Sequence, residues 1–303
     1  MSLPKKDTHG LFDSVAPLLF VFIWSTGFII ARYSADYADP LTFLSVRYAL
    51  AGLVLLIFAL LAGARWPTNT TEGIHALVSG VLLHGIYLGG VWWAVRRGLP
   101  ASLSALLSAL QPILTAFLAP MLVKERINPL QWIGIFAGFC GILIVLSPKL
   151  LSIDSTRMGD VLWPLAINFI AMISVTAGSL YQKKFIHSGD LRTVTTLQYA
   201  GALALTLPIA YLTEPMKIEW NTTMIAVTLW SVLALSIGAI GLLLLLIRRG
   251  EVSRSSQLFF LVPPAAAIEA YILFNEQLNL WQILGMGLTV MGVALATRKP
   301  KAS

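Results

Sequence analysis

The segment 96–145 is written a second time at 248–295. Arg96, Arg97, Gly98 and Pro112 fall on Arg248, Arg249, Gly250 and Pro264. After a one-residue gap, Glu125, Asn128, Gln131, Gly134 and Gly141 fall on Glu276, Asn279, Gln282, Gly285 and Gly292. Leucines matched between two apolar helices carry little information. A spaced Glu, Asn, Gln, Gly set with a mid-helix proline is not a by-product of shared hydrophobicity. The chain therefore reads as two copies of one unit, 1–150 and 151–303, and any fold for it is built from that unit twice. Fainter echoes extend the repeat. Arg47-Tyr48-Ala49 stands 151 residues before Gln198-Tyr199-Ala200, and Gly27 and Arg32 precede Gly178 and Lys183 by the same interval.

The unit is one for lipid. The chain is 57% hydrophobic and 12% charged, against roughly 25% charged in soluble domains. Apolar runs of about 20 residues, long enough to cross a bilayer core, recur from end to end. Turn and charge signals divide them into ten expected spans: 13–33, 41–62, 73–95, 99–122, 129–147, 159–182, 192–212, 223–247, 252–274 and 279–297. The first 10 residues are polar and no small-residue cleavage site follows, so the first span is expected to be retained rather than removed as a signal peptide. The single cysteine, Cys140, excludes an internal disulfide and reads as a small packing residue beside Gly141. A net charge of +7 is what basic loops beside anionic headgroups give, and it calls for no nucleic-acid partner.

Basic residues set the expected orientation. With the N-terminus inside, fourteen Lys and Arg side chains fall in inner loops and six in outer ones, Arg96-Arg97 being the pair against the trend. Both termini are then cytoplasmic. Five spans per half is an odd number, so the second copy crosses the membrane in the opposite sense. The expected fold is an all-α integral membrane protein, ten transmembrane helices in two inverted-topology repeats of five. Such halves can exchange conformations and open a central site to each side in turn.

The doubled block resembles the drug/metabolite transporter superfamily, of the EamA type. The residues that carry the resemblance are Trp24-Ser25, the stretch from Pro40 to Arg47, and Ser104 through Pro112 to Glu125, Gly134 and Gly141. The copy runs from Ser256 through Pro264 to Glu276, Gly285 and Gly292. The resemblance covers nearly the whole chain. It implies ten helices in two inverted repeats and export of small metabolites across the cell inner membrane; some relatives export amino acids, aromatic ones included. Family members often carry an acidic residue before the repeated proline, where this chain has Gln111 and Pro263.

Matched prolines, Pro112 and Pro263-Pro264, free backbone carbonyls within two spans and mark expected gates or a midplane site. In span three His84, Tyr87, Leu88 and Val91 fall on one helical stripe, with Trp92 beside it. A histidine at such depth faces the bundle interior or a wet cavity, or bonds a neighbouring helix. Trp24 lies too deep for an interfacial anchor, and Trp163 belongs to a span made irregular by Pro164 and Asn168. The candidate cavity lining is thus Trp24, His84, Tyr87, Leu88, Gln111, Trp163, Asn168 and Gln257. Aromatic walls with a few polar groups suit a flat amphipathic solute. Two charges lie within spans at similar depth, Arg47 about 10 Å and Glu269 about 9 Å from one surface. They are a candidate ion pair, or a carboxylate holder and an acceptor for an ammonium or a coupled proton. Gly134, Gly138 and Gly141, with Gly285, Gly287 and Gly292, read as close-packing scaffold or a dimer face.

No Gly-rich loop ending in Gly-Lys-Ser/Thr is present, so an ATP motor within the chain is not expected, nor is a cofactor or a metal centre. The reading is a secondary transporter of small amphipathic metabolites, with aromatic or large neutral amino acids preferred, acting as monomer or homodimer in the bilayer. Its alternatives are a carrier of drug-like or other non-amino-acid metabolites, and an intramembrane enzyme. The enzyme has few ionisable residues to work with: Arg47, His84 and Glu269.

Overall fold

The structure, a computed structural model, describes residues 8–99, 104, 107, 108, 110–124, 127–151, 158–249, 257–274 and 279–296. Among these the backbone is helical apart from turns and one isolated antiparallel bridge, Ala38 to Ile218. The helices are α1 (Thr8–Ala35), α2 (Pro40–Leu61), α3, α4 (Leu110–Leu122), α5 (Pro129–Leu151), α6 (Met158–Phe185), α7 (Leu191–Thr213), α8, α9 and α10 (Leu280–Ala296). Three of them change winding along their length. α3 passes from Thr70–Gly80 through a π-helical stretch, Val81–Ile86, to Tyr87–Arg96. α8 does the same, from Thr222–Trp230 through π-helical Ser231–Ala239 to Ile240–Arg249. α9 opens on a 3₁₀ turn, Gln257–Leu261, and continues as Val262–Phe274.

Among the described residues, five helices are long and apolar enough to cross a membrane: Val15–Ala35, Pro40–Leu61, Thr70–Arg96, Leu162–Phe185 and Thr222–Leu243. Stretches in α4, α5, α9 and α10 are apolar but shorter. Leu18, Phe58, Phe136 and Ile272 point outward and are largely exposed. Such a continuous apolar exterior suits lipid and not water. Glu125 and Glu276 of the repeated block lie outside the described residues.

Polar residues of the repeat are helix caps. Asn128 and Gln131 exchange bonds, each side chain accepting from the other's backbone N–H at 2.8 and 2.9 Å. Asn279 and Gln282 do the same at 2.9 and 2.8 Å. This is a reciprocal capping box, and it is why the Asn-x-x-Gln spacing stands twice. Asn69 and Asn221 cap α3 and α8, accepting from Glu72 and Met224 backbone N–H at 2.7 and 2.8 Å.

Hydrogen bonds between loops fix helix directions. At one end of the bundle Asp39 N–H donates to the Lys217 carbonyl at 3.0 Å, tying the start of α2 to the end of α7. Glu214 accepts there from the Leu41 and Thr42 backbone N–H groups at 2.9 and 2.8 Å, a carboxylate against the positive end of α2. At the other end Asp190 N–H donates to the Arg65 carbonyl at 2.8 Å, tying the start of α7 to the end of α2. Helices α2 and α7 therefore lie side by side and antiparallel. In α5 and α10 the register also runs in opposite senses: Gly134 meets Gly292 and Ala296, while Gly141 meets Gly285 and Thr289. A Cβ on Gly134 would stand 2.5 Å from the Ala296 nitrogen, and one on Gly141 2.6 Å from the Thr289 nitrogen, so only glycine permits this approach. Gly287 looks into open space and takes no part.

The contacts have a pattern. α1 packs on α8 and α9, and α6 packs on α3 and α4; α2 touches α8, and α7 touches α3. Each of these contacts recurs when α1 to α5 are exchanged for α6 to α10.

Candidate functional site

The cavity lies where the two halves meet. Helix α1 supplies Trp24, Gly27 and Phe28, α2 supplies Arg47, α3 supplies Tyr87, Leu88, Val91 and Trp92, and α8 supplies Leu235 and Ile240. The helical period makes these sets: i, i+3, i+4 in α1 and i, i+1, i+4, i+5 in α3 each project one stripe inward. Trp24 and Tyr87 lie parallel, 10° apart with centroids at 6.3 Å, and form facing walls. Phe259 meets Trp24 edge-on at 5.1 Å and fixes its ring. The cavity volume is about 30 Å³, room for about two waters. A solute the size of an amino acid exceeds that volume.

Arg47 is the charge in this lining. It is 2% exposed. Its Nε donates to Ser236 Oγ at 2.7 Å, its guanidinium carbon stands 5.6 Å from the Trp92 ring centroid, and its Nη1 has no protein partner. The ring face and the serine orient the guanidinium without neutralising it. Trp92 is held in turn by its Nε1, which donates to Ser34 Oγ at 3.2 Å.

Next to the cavity sits an aromatic box. Tyr48 and Tyr199 stack with centroids 5.8 Å apart, and His84 lies 4.9 Å from Tyr199 and 6.3 Å from Tyr48. The Tyr48 hydroxyl donates to the His84 carbonyl at 2.9 Å, and the Tyr199 hydroxyl to the Ser236 carbonyl at 2.5 Å. Both acceptors belong to π-helical stretches. The phenols thus tie the irregular stretches of α3 and α8 to α2 and α7.

The structure brings part of the expected site together. Trp24, Tyr87, Leu88 and Arg47 line the cavity. His84 does not: it is buried beside the tyrosines with neither ring nitrogen hydrogen-bonded. Gln111, Asn168 and Gln257 are buried but stand outside the cavity lining. Asn168 donates to Ser104 Oγ at 2.5 Å and ties α6 to the segment before α4. Trp163 is 65% exposed on the outer surface, because the stripe it shares with Leu162 and Phe169 faces away from the bundle.

Arg47 and Glu269 do not pair. Glu269 accepts from Ser25 Oγ at 2.5 Å, on the side of α1 that meets α9. Equal depth is a coordinate along the membrane normal only, and laterally Arg47 bonds Ser236 of α8 while Glu269 bonds Ser25 of α1. Ser104, Leu107 and Ser108 are helical ahead of α4, so Pro112 stands within a helical stretch. Pro263 and Pro264 stand at the start of the α-helical part of α9, directly after its 3₁₀ turn, where the winding changes. Further irregular backbone lies in α3 and α8.

Sequence reasoning missed Phe28, Leu235, Ser236 and Ile240. The signal for Leu235 was available: it stands 151 residues after His84, the interval that relates the two tyrosines.

A bundle that is helical throughout its described elements, with an apolar exterior and an aromatic, cation-bearing chamber between its halves, is a multi-pass membrane protein. The profile of the EamA-like transporter family matches it at residues 14–147 and again at 162–298, and the chain belongs to that family. It is 24% identical over 93% of its length to a protein of Escherichia coli (strain K12) named "Probable amino-acid metabolite efflux pump", of which it covers 93%. It is 27% identical over 91% of its length to the Escherichia coli (strain K12) inner membrane transporter YedA, covering 87% of it. It is 25% identical over 99% of its length to the transporter YvbV of Bacillus subtilis (strain 168), covering 94% of it. A solved crystal structure shares its fold with a TM-score of 0.74 at 17% identity, over 93% of this chain and 96% of the other.

Proposed function

We propose that the chain is a secondary transporter exporting small amphipathic metabolites across the cell inner membrane, with both termini cytoplasmic. Amino acids with aromatic or large neutral side chains are the first cargo to consider. Transport proceeds by alternating access between two inverted five-helix repeats, 1–150 and 151–303. The observation that carries this reading is the chamber walled by α1, α2 and α3 from one half and α8 from the other. Its inversion is supported by the antiparallel pairs α2 with α7 and α5 with α10, and by helix contacts that recur when the halves are exchanged. Its cargo class is supported by the aromatic walls and by the name of the efflux-pump relative. A chamber of about 30 Å³ fits the occluded point of such a cycle.

The test is counterflow in proteoliposomes. Vesicles loaded with phenylalanine, tryptophan or leucine should accumulate the labelled solute from outside, above protein-free vesicles. No accumulation with any amino acid or aromatic metabolite sinks the proposal. Inversion is tested separately with single cysteines in a Cys140→Ser background: Asp36→Cys and His187→Cys should react with an impermeant maleimide from opposite sides.

A further inference from the structure

Resting on that reading, the geometry points to a narrower cargo: an organic monoanion, a carboxylate on a flat apolar body, taken ahead of the zwitterionic amino acid of the same shape. The chamber has one charge, the buried Arg47 guanidinium. It is held by Ser236 and the Trp92 face, neither of which cancels its charge, and Nη1 is left unpartnered. A guanidinium is a permanent cation with donors arranged for two carboxylate oxygens. The rest of the lining is Trp24, Phe28, Tyr87 and aliphatic groups, against which an aryl ring can pack.

What decides against the zwitterion is where the acidic group is. The carboxylate that an ammonium would need is Glu269, and Glu269 is turned to Ser25 on the α9 side of α1, outside the chamber. No acidic residue lines the chamber among the described residues. An ammonium brought in beside Arg47 would meet a like charge and have no counter-charge. A monocarboxylate brings the site to neutrality. Cargo of this class comes from amino acids by deamination or N-acylation, reactions that remove the ammonium charge and keep the carboxylate.

The experiment compares three solutes of one shape in wild-type proteoliposomes at neutral pH: 3-phenylpropionate, its amide, and phenylalanine. Counterflow of 3-phenylpropionate, net of protein-free vesicles, should exceed that of phenylalanine about tenfold or more. The acid should also raise the thermal midpoint of the detergent-solubilised protein where the amide does not. Arg47→Gln should abolish the preference for acid over amide, and Arg47→Lys should keep part of it. Phenylalanine moving as fast as 3-phenylpropionate, or acid and amide behaving alike on wild type, overturns this inference and leaves the transporter reading standing. If none of the three moves, this inference falls, and the transporter reading falls with it only if the wider panel of amino acids and aromatic metabolites also fails to accumulate. The wild-type comparison holds even if the Arg47 variants fail to fold.

Discussion

Tyr48 of α2 and Tyr199 of α7 stack 5.8 Å apart at an interplanar angle of 17°, and each donates its phenol to a π-helical carbonyl of its own half. The two residues stand 151 positions apart. They join the antiparallel helices α2 and α7 to the irregular segments of α3 and α8.

Tyr48→Phe and Tyr199→Phe keep the stacked ring and remove the donor. Each removes one hydrogen bond to a π-stretch carbonyl in a nonpolar interior and should cost about 0.5–1.5 kcal/mol. Thermal unfolding in detergent reads this. The double variant should deviate from additivity, since the rings touch.

Gly141→Ala and Gly287→Ala separate close packing from mere residue type. A Cβ on Gly141 collides with the Thr289 backbone, so α5 and α10 must part at a cost of about 1–3 kcal/mol. A Cβ on Gly287 meets nothing within 4 Å, and its unfolding midpoint should match wild type.

Trp24→Ala should weaken transport through a raised KM, because one of the two facing walls is lost. Trp163→Ala should leave KM unchanged, because that ring is 65% exposed to the surrounding lipid. Equal KM effects from the two would place the cargo elsewhere.

Arg47→Gln and Glu269→Gln should act independently. With no contact between the side chains, the combined change in stability should equal the sum of the single changes within about 0.5 kcal/mol. A charge swap, Arg47→Glu with Glu269→Arg, should fail to restore either stability or transport.

Asn128→Ala and Asn279→Ala each remove one side of a reciprocal cap, and each should cost about 0.5–2 kcal/mol. Similar losses in both would bear out that the repeated Asn-x-x-Gln serves helix initiation rather than cargo.

Much of the fold was legible because a bilayer leaves few choices. Apolar length dictates helices, the repeat dictates that what one half does the other does too, and glycines at Gly134, Gly141, Gly285 and Gly292 mark where two helices touch. The stripe of Tyr87, Leu88 and Val91 was readable from helical spacing, and Trp24 from its depth. Trp163 was not, since depth along a helix says nothing about which way the ring faces. The π stretches were not readable either. Gly85 and Gly238 lie within Val81–Ile86 and Ser231–Ala239, but glycines are as frequent in the regularly wound α5 and α10, so they do not single these stretches out.

The sequence by itself determined that the chain is helical, belongs in a membrane, and is one unit repeated, since hydropathy and spacing are properties of the order of residues. Only the tertiary structure decided that Arg47 stands in the chamber without Glu269 and that His84 lies in an aromatic box beside it. The reason is lateral placement. Position along a helix fixes depth, but which side chains meet across the bundle depends on how the helices rotate and pack against one another, which gave Arg47 and Glu269 different partners.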